Sequence, residues 1–228
     1  MVARLKGFTV AIIGPDGAGK TTVCRRLIAV SPRRLQYLYM GVNPNSADSL
    51  LPTTRFVRAV RRYGLRRGTT LHSHRDAEPQ HSHGLLTTLR SVLRLANRVA
   101  EETYRHVLTA RFTSKGYIVL FDRHFLFDYY STDILAPRTF AQKAHGLFLR
   151  HIYPRPNLVI YLDAPPEVWF ARKGEGTLDS LARNRDEYLS FGGLVPRFHV
   201  VDGTQPLDRV VADVAEHIEA FAVLATSR

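Results

Sequence analysis

The chain has 228 residues, of which 45% are hydrophobic and 23% are charged, and it contains one cysteine. This length and balance predict a single globular domain and exclude an intrinsically disordered chain or a disulfide-stabilised small scaffold. No apolar run reaches the roughly 18 residues of a membrane helix, and the N-terminal run is too short for a signal peptide. Because the lone Cys24 has no internal disulfide partner, we expect a reducing, cytoplasmic environment.

The net charge is +12, with 32 Lys and Arg residues against 20 Asp and Glu residues, which is typical of proteins that meet a polyanion. The excess is local, because residues 55–112 hold twelve arginines, no lysine and four acidic residues. This segment therefore predicts an anionic partner, and a solvated basic surface is the alternative interpretation.

Five short, unbroken apolar runs predict buried strands of a parallel sheet. They are residues 8–13, 35–40, 117–121, 158–162 and 198–201. Helical patterns lie between and after them, at residues 22–30, 85–111, 125–152, 166–172, 178–191 and 207–224. Strands that alternate with helices imply right-handed crossovers and an α/β fold whose five-stranded parallel sheet is covered on both faces. We expect residues 1–228 to form one domain.

Residues 41–84 interrupt this alternation. They contain prolines at positions 44, 52 and 79 together with polar clusters, which predict an insertion of loops with one short helix around residues 56–63. Two His-x-His pairs, at residues 72–74 and 81–83, suggest a zinc site, but Pro79 separates them and no cysteine accompanies them. We therefore favour a substrate-facing insertion over a zinc centre.

The strongest motif is Gly-Pro-Asp-Gly-Ala-Gly-Lys-Thr at residues 14–21, which fits the pattern GxxxxGK[ST] of a phosphate-binding loop. It lies between a predicted buried strand and a predicted helix, as that motif requires. Its glycines let successive N–H groups point at a phosphate, while Lys20 would reach the β- and γ-phosphates and Thr21 would ligate Mg²⁺. The residues expected to hold the nucleotide are Gly14, Asp16, Gly17, Ala18, Gly19, Lys20, Thr21 and Thr22.

Asp16 is an acid inside a loop whose amides are expected to hold an anion, so it needs a partner of its own. It would accept a hydrogen bond from a substrate hydroxyl or hold a magnesium-bound water. Stabilisation of the loop itself is the alternative interpretation.

A second polar pair follows the third apolar run. Asp122 should emerge at the carboxyl edge of the sheet, where α/β folds bind ligands and where the glycine-rich loop also opens. A carboxylate there can orient Mg²⁺ or accept the proton of an attacking hydroxyl. Arg123 follows directly and offers a planar guanidinium to a phosphate. A simple helix N-cap is the alternative interpretation of this pair.

Four stretches of the chain match one known family between them. They are GPDGAGKTT at residues 14–22, Asp-Arg-His at 122–124, YLDAPPEVWFAR at 161–172 and FHVVDGTQPLDRVVADV at 198–214. On these motifs the chain resembles the thymidylate kinase-like branch of the P-loop nucleoside and nucleotide kinases. The resemblance implies a three-layer P-loop kinase fold, ATP and Mg²⁺ as cofactors, and a lid at residues 173–188.

The resemblance also implies roles for individual residues. The implied catalytic residues are Lys20, Asp122, Arg123 and the lid residue Arg183, with Arg185 as a second phosphate-facing cation in the lid. The implied Mg²⁺ ligands are Thr21 and Asp122. Further nucleotide contacts would come from Arg172, Gly203 and Thr204, the last two beside the adenine. The residues expected to bind the acceptor are Asp16, Arg98, Arg123, Asp128 and Tyr188.

The acceptor side departs from the family pattern. Thymidylate kinases carry an Arg-Glu-Pro-Gly-Gly-Thr-like motif after the second strand, whereas this chain reads YLYMGVNPNSADSLLP there. Arg98 is the nearest candidate for an arginine that binds the acceptor phosphate, but it lies about one helical turn too far from Asp122. The acceptor could therefore be another nucleotide, a nucleoside or a sugar derivative.

Three functions fit these observations. The first is an ATP- and Mg²⁺-dependent kinase of a nucleoside monophosphate, and the second is a kinase of a sugar, nucleoside or natural-product hydroxyl. The third is a P-loop NTPase or nucleotide sensor that binds nucleic acid. Because no nucleic-acid-binding module is recognisable, we favour a small-molecule phosphate acceptor as the partner, with neither nucleic acid nor membrane. The resemblance leaves a homodimer open.

Overall fold

The computed structural model describes residues 7–41, 85–174 and 176–226. Five strands form one sheet in the order β2-β3-β1-β4-β5, and all neighbouring strands are parallel. The strands are β1 Thr9–Ile13, β2 Leu35–Tyr39, β3 Ile118–Asp122, β4 Leu158–Asp163 and β5 Phe198–Asp202. The prediction of an α/β fold with a five-stranded parallel sheet is confirmed, and each predicted strand agrees to within one residue at either end. Residues 42–84 lie outside the described residues; they hold all but the first residue of the predicted insertion, the short helix expected around residues 56–63 and both His-x-His pairs.

Helices cover both faces of the sheet. They are α1 Lys20–Val30, α2 Leu85–Thr113, α3 Phe125–Asp128, α4 Phe140–His151, α5 Pro166–Lys173, α6 Leu178–Ser190 and α7 Leu207–Thr226. A π-helical turn, Tyr130–Leu135, lies between α3 and α4, and a short 3₁₀ turn, Phe191–Gly193, follows α6. None of these described helices is both long and apolar enough to cross a bilayer.

The prediction of a helix over the whole of residues 125–152 is wrong, because the helical backbone is interrupted after the π-helical turn. Pro137 has no N–H to donate and disfavours a helical backbone at the residue before it. Ala136 accordingly leaves the helical region, with φ −131° and ψ 58°. The helix restarts with a capping box, in which Thr139 and Gln142 satisfy each other's backbone N–H groups.

The two faces of the sheet carry separate apolar layers. Along β1, Val10 and Ile12 pack in the layer that contains α1 and α7, whereas Ala11 and Ile13 pack in the layer that contains α3 to α6. This alternation has the period of two residues that a pleated strand imposes. The continuous apolar runs of the sequence are thus explained by burial on both faces.

The connections place a crevice at the carboxyl end of β1. From β1 the chain continues into α1 on one face, whereas from the neighbouring strands β3 and β4 it continues into helices on the other face. Where the chain leaves adjacent parallel strands in opposite directions, a crevice opens that α/β folds use for ligands. The loop after β1 and the residues that end β3 therefore meet at this crevice.

Candidate functional site

The loop between β1 and α1 is shaped by three glycines with a left-handed backbone. Their φ angles are 148° at Gly14, 90° at Gly17 and 86° at Gly19, a region that side chains with a Cβ rarely adopt. Gly19 precedes α1, and no described side chain caps the start of that helix. The first N–H groups of α1 are therefore left for a ligand, and the helix dipole favours an anion there.

Lys20 is buried within this loop. Its Nζ donates hydrogen bonds to the carbonyl oxygens of Gly14, at 2.8 Å, and Pro15, at 2.7 Å. Burial lowers the pKa of Lys20 to about 8, and the positive charge of Arg123 acts in the same direction. No carboxylate in the described part of the chain forms an ion pair with this ammonium group. An incoming anion would therefore stabilise its charge.

Asp122 faces α1 from the end of β3, on the same side as Ile118 and Leu120. Thr21 Oγ1 donates a hydrogen bond to Asp122 Oδ2 at 2.5 Å, and the Tyr37 hydroxyl donates to the same oxygen at 2.8 Å. The other oxygen, Oδ1, is buried and has no hydrogen-bond partner among the described residues. A buried carboxylate oxygen without a partner is costly, and a bound cation or water would satisfy it.

Arg123 has a left-handed backbone with φ 73°, a conformation that is strained for a residue with a side chain. Its backbone N–H donates to the carbonyl of Ile12 at 3.2 Å, and its Nη2 donates to Asp16 Oδ1. Lys173 Nζ lies 3.3 Å from the other oxygen of Asp16. Burial alone would raise the pKa of Asp16, but Arg123, Lys20 and Lys173 lower it below its ordinary value. Arg123 and Lys173, which contact the carboxylate directly, are the partners that an acid in this loop needs.

One cavity of about 280 Å³ joins these groups. It is lined by Asp16, Gly17, Gly19, Lys20, Thr21, Thr22, Tyr39, Asp122 and Arg123. The structure therefore brings the loop and the pair at 122–123 together, as expected from the sequence. We call Asp16, Lys20, Thr21, Asp122 and Arg123 the loop-mouth cluster. Tyr37, Tyr39 and Lys173 also belong to this neighbourhood. The two tyrosines were not expected there, and Lys173 was expected only as the first residue of the lid.

Asp128 and Tyr188, which are expected on the acceptor side, lie near Arg123. Asp128 is half-buried at the end of α3, and burial raises its pKa to about 6 while Arg123 acts in the opposite direction. Burial and the charge of Asp128 raise the pKa of Tyr188, whose ring stacks on Tyr161 with centroids 5.3 Å apart. The two residues therefore share one electrostatic environment with Arg123.

The expected lid consists mainly of α6, which begins with a capping box between Thr177 and Ser180. Arg185 donates two hydrogen bonds to Asp163, Nε to Oδ1 at 2.8 Å and Nη2 to Oδ2 at 2.6 Å, so its guanidinium is held at the end of β4. Arg183 is exposed on the same helix and has no ion-pair partner among the described residues. Of the two arginines expected to face phosphate, Arg183 is the one whose guanidinium stays available.

The segment after β5 packs against the end of α5. Arg172 Nη2 donates to the carbonyl oxygen of Gly203 at 2.9 Å. Thr204 donates from its backbone N–H and its hydroxyl to Asp202 Oδ1, at 2.9 and 2.6 Å. Contacts of Arg172, Gly203 and Thr204 with a nucleotide stay predictions.

Arg98 belongs to a different group of charges. Its Nη1 lies 3.3 Å from Asp133 Oδ2, and its guanidinium lies 4.6 Å from the ring centroid of Tyr129. Arg98 does not line the cavity described above. The arginine expected to bind an acceptor phosphate is thus already engaged within the protein.

The centre of that second group is His145 in α4, which is fully buried. Its Nδ1 lies 2.6 Å from Asp133 Oδ2, and its Nε2 lies 2.9 Å from Glu102 Oε1 in α2. Burial alone would lower the pKa of His145, but hydrogen bonds with the two carboxylates raise it above its ordinary value. We call Arg98, Glu102, Asp133 and His145 the helix-layer cluster. The sequence pointed to Arg98 as an acceptor contact, whereas Glu102 and His145 carry no such signal because they lie on different helices.

Comparison with protein-family models finds no match for this chain. Within residues 7–41, 85–174 and 176–226, no group of three or more His, Cys, Asp or Glu side chains converges to hold a metal ion. Mg²⁺ at phosphotransfer sites needs no such group, since one or two protein oxygens and the substrate phosphates suffice. Thr21 Oγ1 and the unpartnered Oδ1 of Asp122 fit that requirement.

Proposed function

We propose that this chain is an ATP- and Mg²⁺-dependent phosphotransferase, a P-loop kinase that moves the γ-phosphoryl group of ATP to a small acceptor. The observation that carries the proposal is that Lys20, the glycine-rich loop and Asp122 line one cavity, and that one carboxylate oxygen of Asp122 has no hydrogen-bond partner among the described residues. The motifs that resemble thymidylate kinase-like proteins support the same conclusion.

The loop would bind the phosphates of ATP. Backbone N–H groups at the start of α1 would donate to them, and Lys20 Nζ would exchange its two carbonyl contacts for β- and γ-phosphate oxygens. Thr21 and Asp122 would hold the cation. When bound there, Mg²⁺ would neutralise the charge that spreads over the phosphoryl oxygens.

Arg123 and the two acids beside it would organise the transfer. The guanidinium of Arg123 lies at the mouth of the loop, where it would stabilise the negative charge of the transferring group. Asp16 forms an ion pair with that guanidinium, and the charge of Asp128 acts on it as well, so either carboxylate would accept a hydrogen bond from an acceptor hydroxyl bound beside Arg123. A pKa of about 6 would also let Asp128 accept a proton near neutral pH.

The acceptor class separates two versions of this function. A nucleoside monophosphate is the acceptor that the thymidylate kinase-like motifs favour. A non-phosphorylated hydroxyl compound, such as a sugar or a nucleoside, is favoured by one observation: Arg98 is paired with Asp133 and stacked on Tyr129. An acceptor without a phosphate would not need that arginine.

An acceptor panel tests the proposal. ADP release from ATP and Mg²⁺ would be measured with nucleoside monophosphates, nucleosides, sugars and polyols, and with single-stranded DNA and RNA as a separate arm. Turnover with a small acceptor supports a kinase, and its class decides between the two versions. ATP hydrolysis that only nucleic acid stimulates, with a steep salt dependence of binding, would instead identify a nucleic-acid-dependent NTPase.

Lys20→Ala and Lys115→Ala provide the matched pair for this assay. Lys20→Ala should abolish transfer, because the ammonium at the phosphates is lost. Lys115 lies in the turn between α2 and β3 and does not line the cavity, so Lys115→Ala should retain transfer. An unimpaired Lys20→Ala protein would refute the proposal.

A further inference from the structure

Tyr37 reaches the loop-mouth cluster from the edge strand of the sheet. In the parallel register, Tyr37 lies beside Leu120 and Tyr39 lies beside Asp122. Leu38 packs in the layer of α3 to α6, so the alternation of β2 places Tyr37 on the opposite face, which is the face of α1 and Asp122. The phenol is therefore directed to the carboxylate by the pleat of the strand rather than by a loop.

The hydrogen bonds of Asp122 are distributed unequally. Both described donors, the hydroxyls of Tyr37 and Thr21, bind Oδ2, and Oδ1 has none. Two O–H donors on one oxygen restrict the orientation of the carboxylate plane and leave the other oxygen without a hydrogen-bond donor among the described residues. The Thr21 hydroxyl donates its hydrogen bond to Asp122, so its oxygen lone pairs remain for a cation.

We propose that Tyr37 is a positioning residue for the divalent-cation site, because its hydroxyl holds Oδ2 of Asp122 so that Oδ1 and Thr21 Oγ1 are presented to the ion. This inference rests on the function proposed above. Groups that hydrogen-bond a metal ligand in this way set its orientation, and their loss typically weakens metal affinity by about 10- to 100-fold.

The test uses Tyr37→Phe in the full chain, because this change keeps the ring in place and removes only the hydroxyl. Mn²⁺ would be titrated as a paramagnetic substitute for Mg²⁺ in the presence of saturating ADP, with the bound fraction read by electron paramagnetic resonance. Binding of Mn²⁺ by ADP alone would be subtracted. The expected result is a 10- to 100-fold loss of Mn²⁺ affinity, with ADP affinity in the absence of metal unchanged.

Tyr117→Phe is the matched control. Tyr117 precedes β3 at the opposite end of the sheet and does not line the cavity, so its variant should bind Mn²⁺ like the unsubstituted protein. Thermal unfolding of both variants verifies that the fold is kept. Equal Mn²⁺ affinity of Tyr37→Phe and the unsubstituted protein would overturn the inference, as would an equal loss of metal-free ADP affinity. Failure of the unsubstituted protein to bind Mn²⁺ with ADP would overturn the proposed function itself.

Discussion

The loop-mouth cluster and the helix-layer cluster differ in how far their hydrogen-bonding capacity is used. In the helix-layer cluster each ring nitrogen of His145 faces a carboxylate, and Arg98 balances Asp133. In the loop-mouth cluster one oxygen of Asp122 has no described partner, and Lys20 is bound only to carbonyl groups. The first cluster is satisfied by the protein, whereas the second is satisfied only in part.

We therefore expect the helix-layer cluster to stabilise the fold and the loop-mouth cluster to bind a ligand. A buried network whose members satisfy one another joins helices, and its disruption is expected to destabilise the protein. A cluster with unused capacity beside an open cavity costs stability and is expected to bind a ligand. Substitutions in the two clusters should therefore affect different measurements.

The largest effect is expected from Asp122→Asn. This change keeps the size of the side chain but removes the negative charge for the cation, so the rate of phosphoryl transfer should fall by about 10³-fold or more. Thermal stability should change little, because the free protein leaves that charge partly unsatisfied. Steady-state kinetics and thermal unfolding check both parts. A large loss of stability would show that Asp122 belongs with the structural cluster instead.

His145→Leu should show the opposite pattern. It leaves the buried Glu102 without its partner, which is expected to cost about 3–5 kcal/mol in the free energy of unfolding. The double variant Glu102→Leu with His145→Leu should recover part of that loss, because no unpaired buried charge remains. Denaturant unfolding measures both values. A single variant as stable as the unsubstituted protein would contradict the structural role of the cluster.

Arg123 allows backbone strain to be separated from side-chain function. Arg123→Gly and Arg123→Ala both remove the guanidinium, so both should reduce transfer. Only glycine relieves the left-handed backbone at φ 73°, so Arg123→Gly should be more stable than Arg123→Ala by about 1 kcal/mol. Denaturant unfolding of the pair gives the difference. Equal stability would mean that the backbone relaxes when the side chain is removed.

The smallest expected effect is the uptake of protons when ATP binds. The pKa of Lys20 is about 8 in the free protein, so half of the side chains are neutral at that pH. Bound phosphates would raise this pKa, and ATP binding at pH 8 should therefore take up about half a proton, falling towards zero below pH 7, where Lys20 is already charged. Calorimetry in buffers of different ionisation enthalpy measures the uptake. Lys20→Arg, which stays charged, should show none.

The lowered pKa of Lys20 also determines how the stability of the free protein changes with pH. Because the pKa of Lys20 is lower in the folded than in the unfolded protein, the unfolded chain binds more protons between about pH 8 and pH 10.4. The penalty for burying this charge is thus fully present below pH 8 and is relieved as the pH rises through that window. Lys20 destabilises the free protein at neutral pH, as expected of a residue kept for binding.

The sequence was sufficient for the sheet and for the loop-mouth cluster. Apolar runs gave the strands, and the glycine pattern gave the loop. Because parallel strands end at the same edge, Thr21 and Asp122 could be expected to meet although 101 positions separate them. These features depend on local patterns and on one general rule of sheet geometry.

Tyr37 and His145 could not be found in that way. The role of Tyr37 depends on β2 lying next to β3 in a register that no local pattern specifies. His145 and Glu102 lie on different helices, and charged residues on an amphipathic helix usually face water. The break at Pro137 did carry a local signal, since proline disfavours a helical backbone at the residue before it.

The most direct test of the proposed function is calorimetric titration of the unsubstituted protein and of Lys20→Ala with ATP and Mg²⁺. We expect one site per chain in the unsubstituted protein, with binding that weakens strongly when Mg²⁺ is chelated and is lost in Lys20→Ala. If the unsubstituted protein shows no heat of binding, or if Lys20→Ala binds ATP equally well, the loop at residues 14–21 does not hold a nucleotide and the proposed function is wrong.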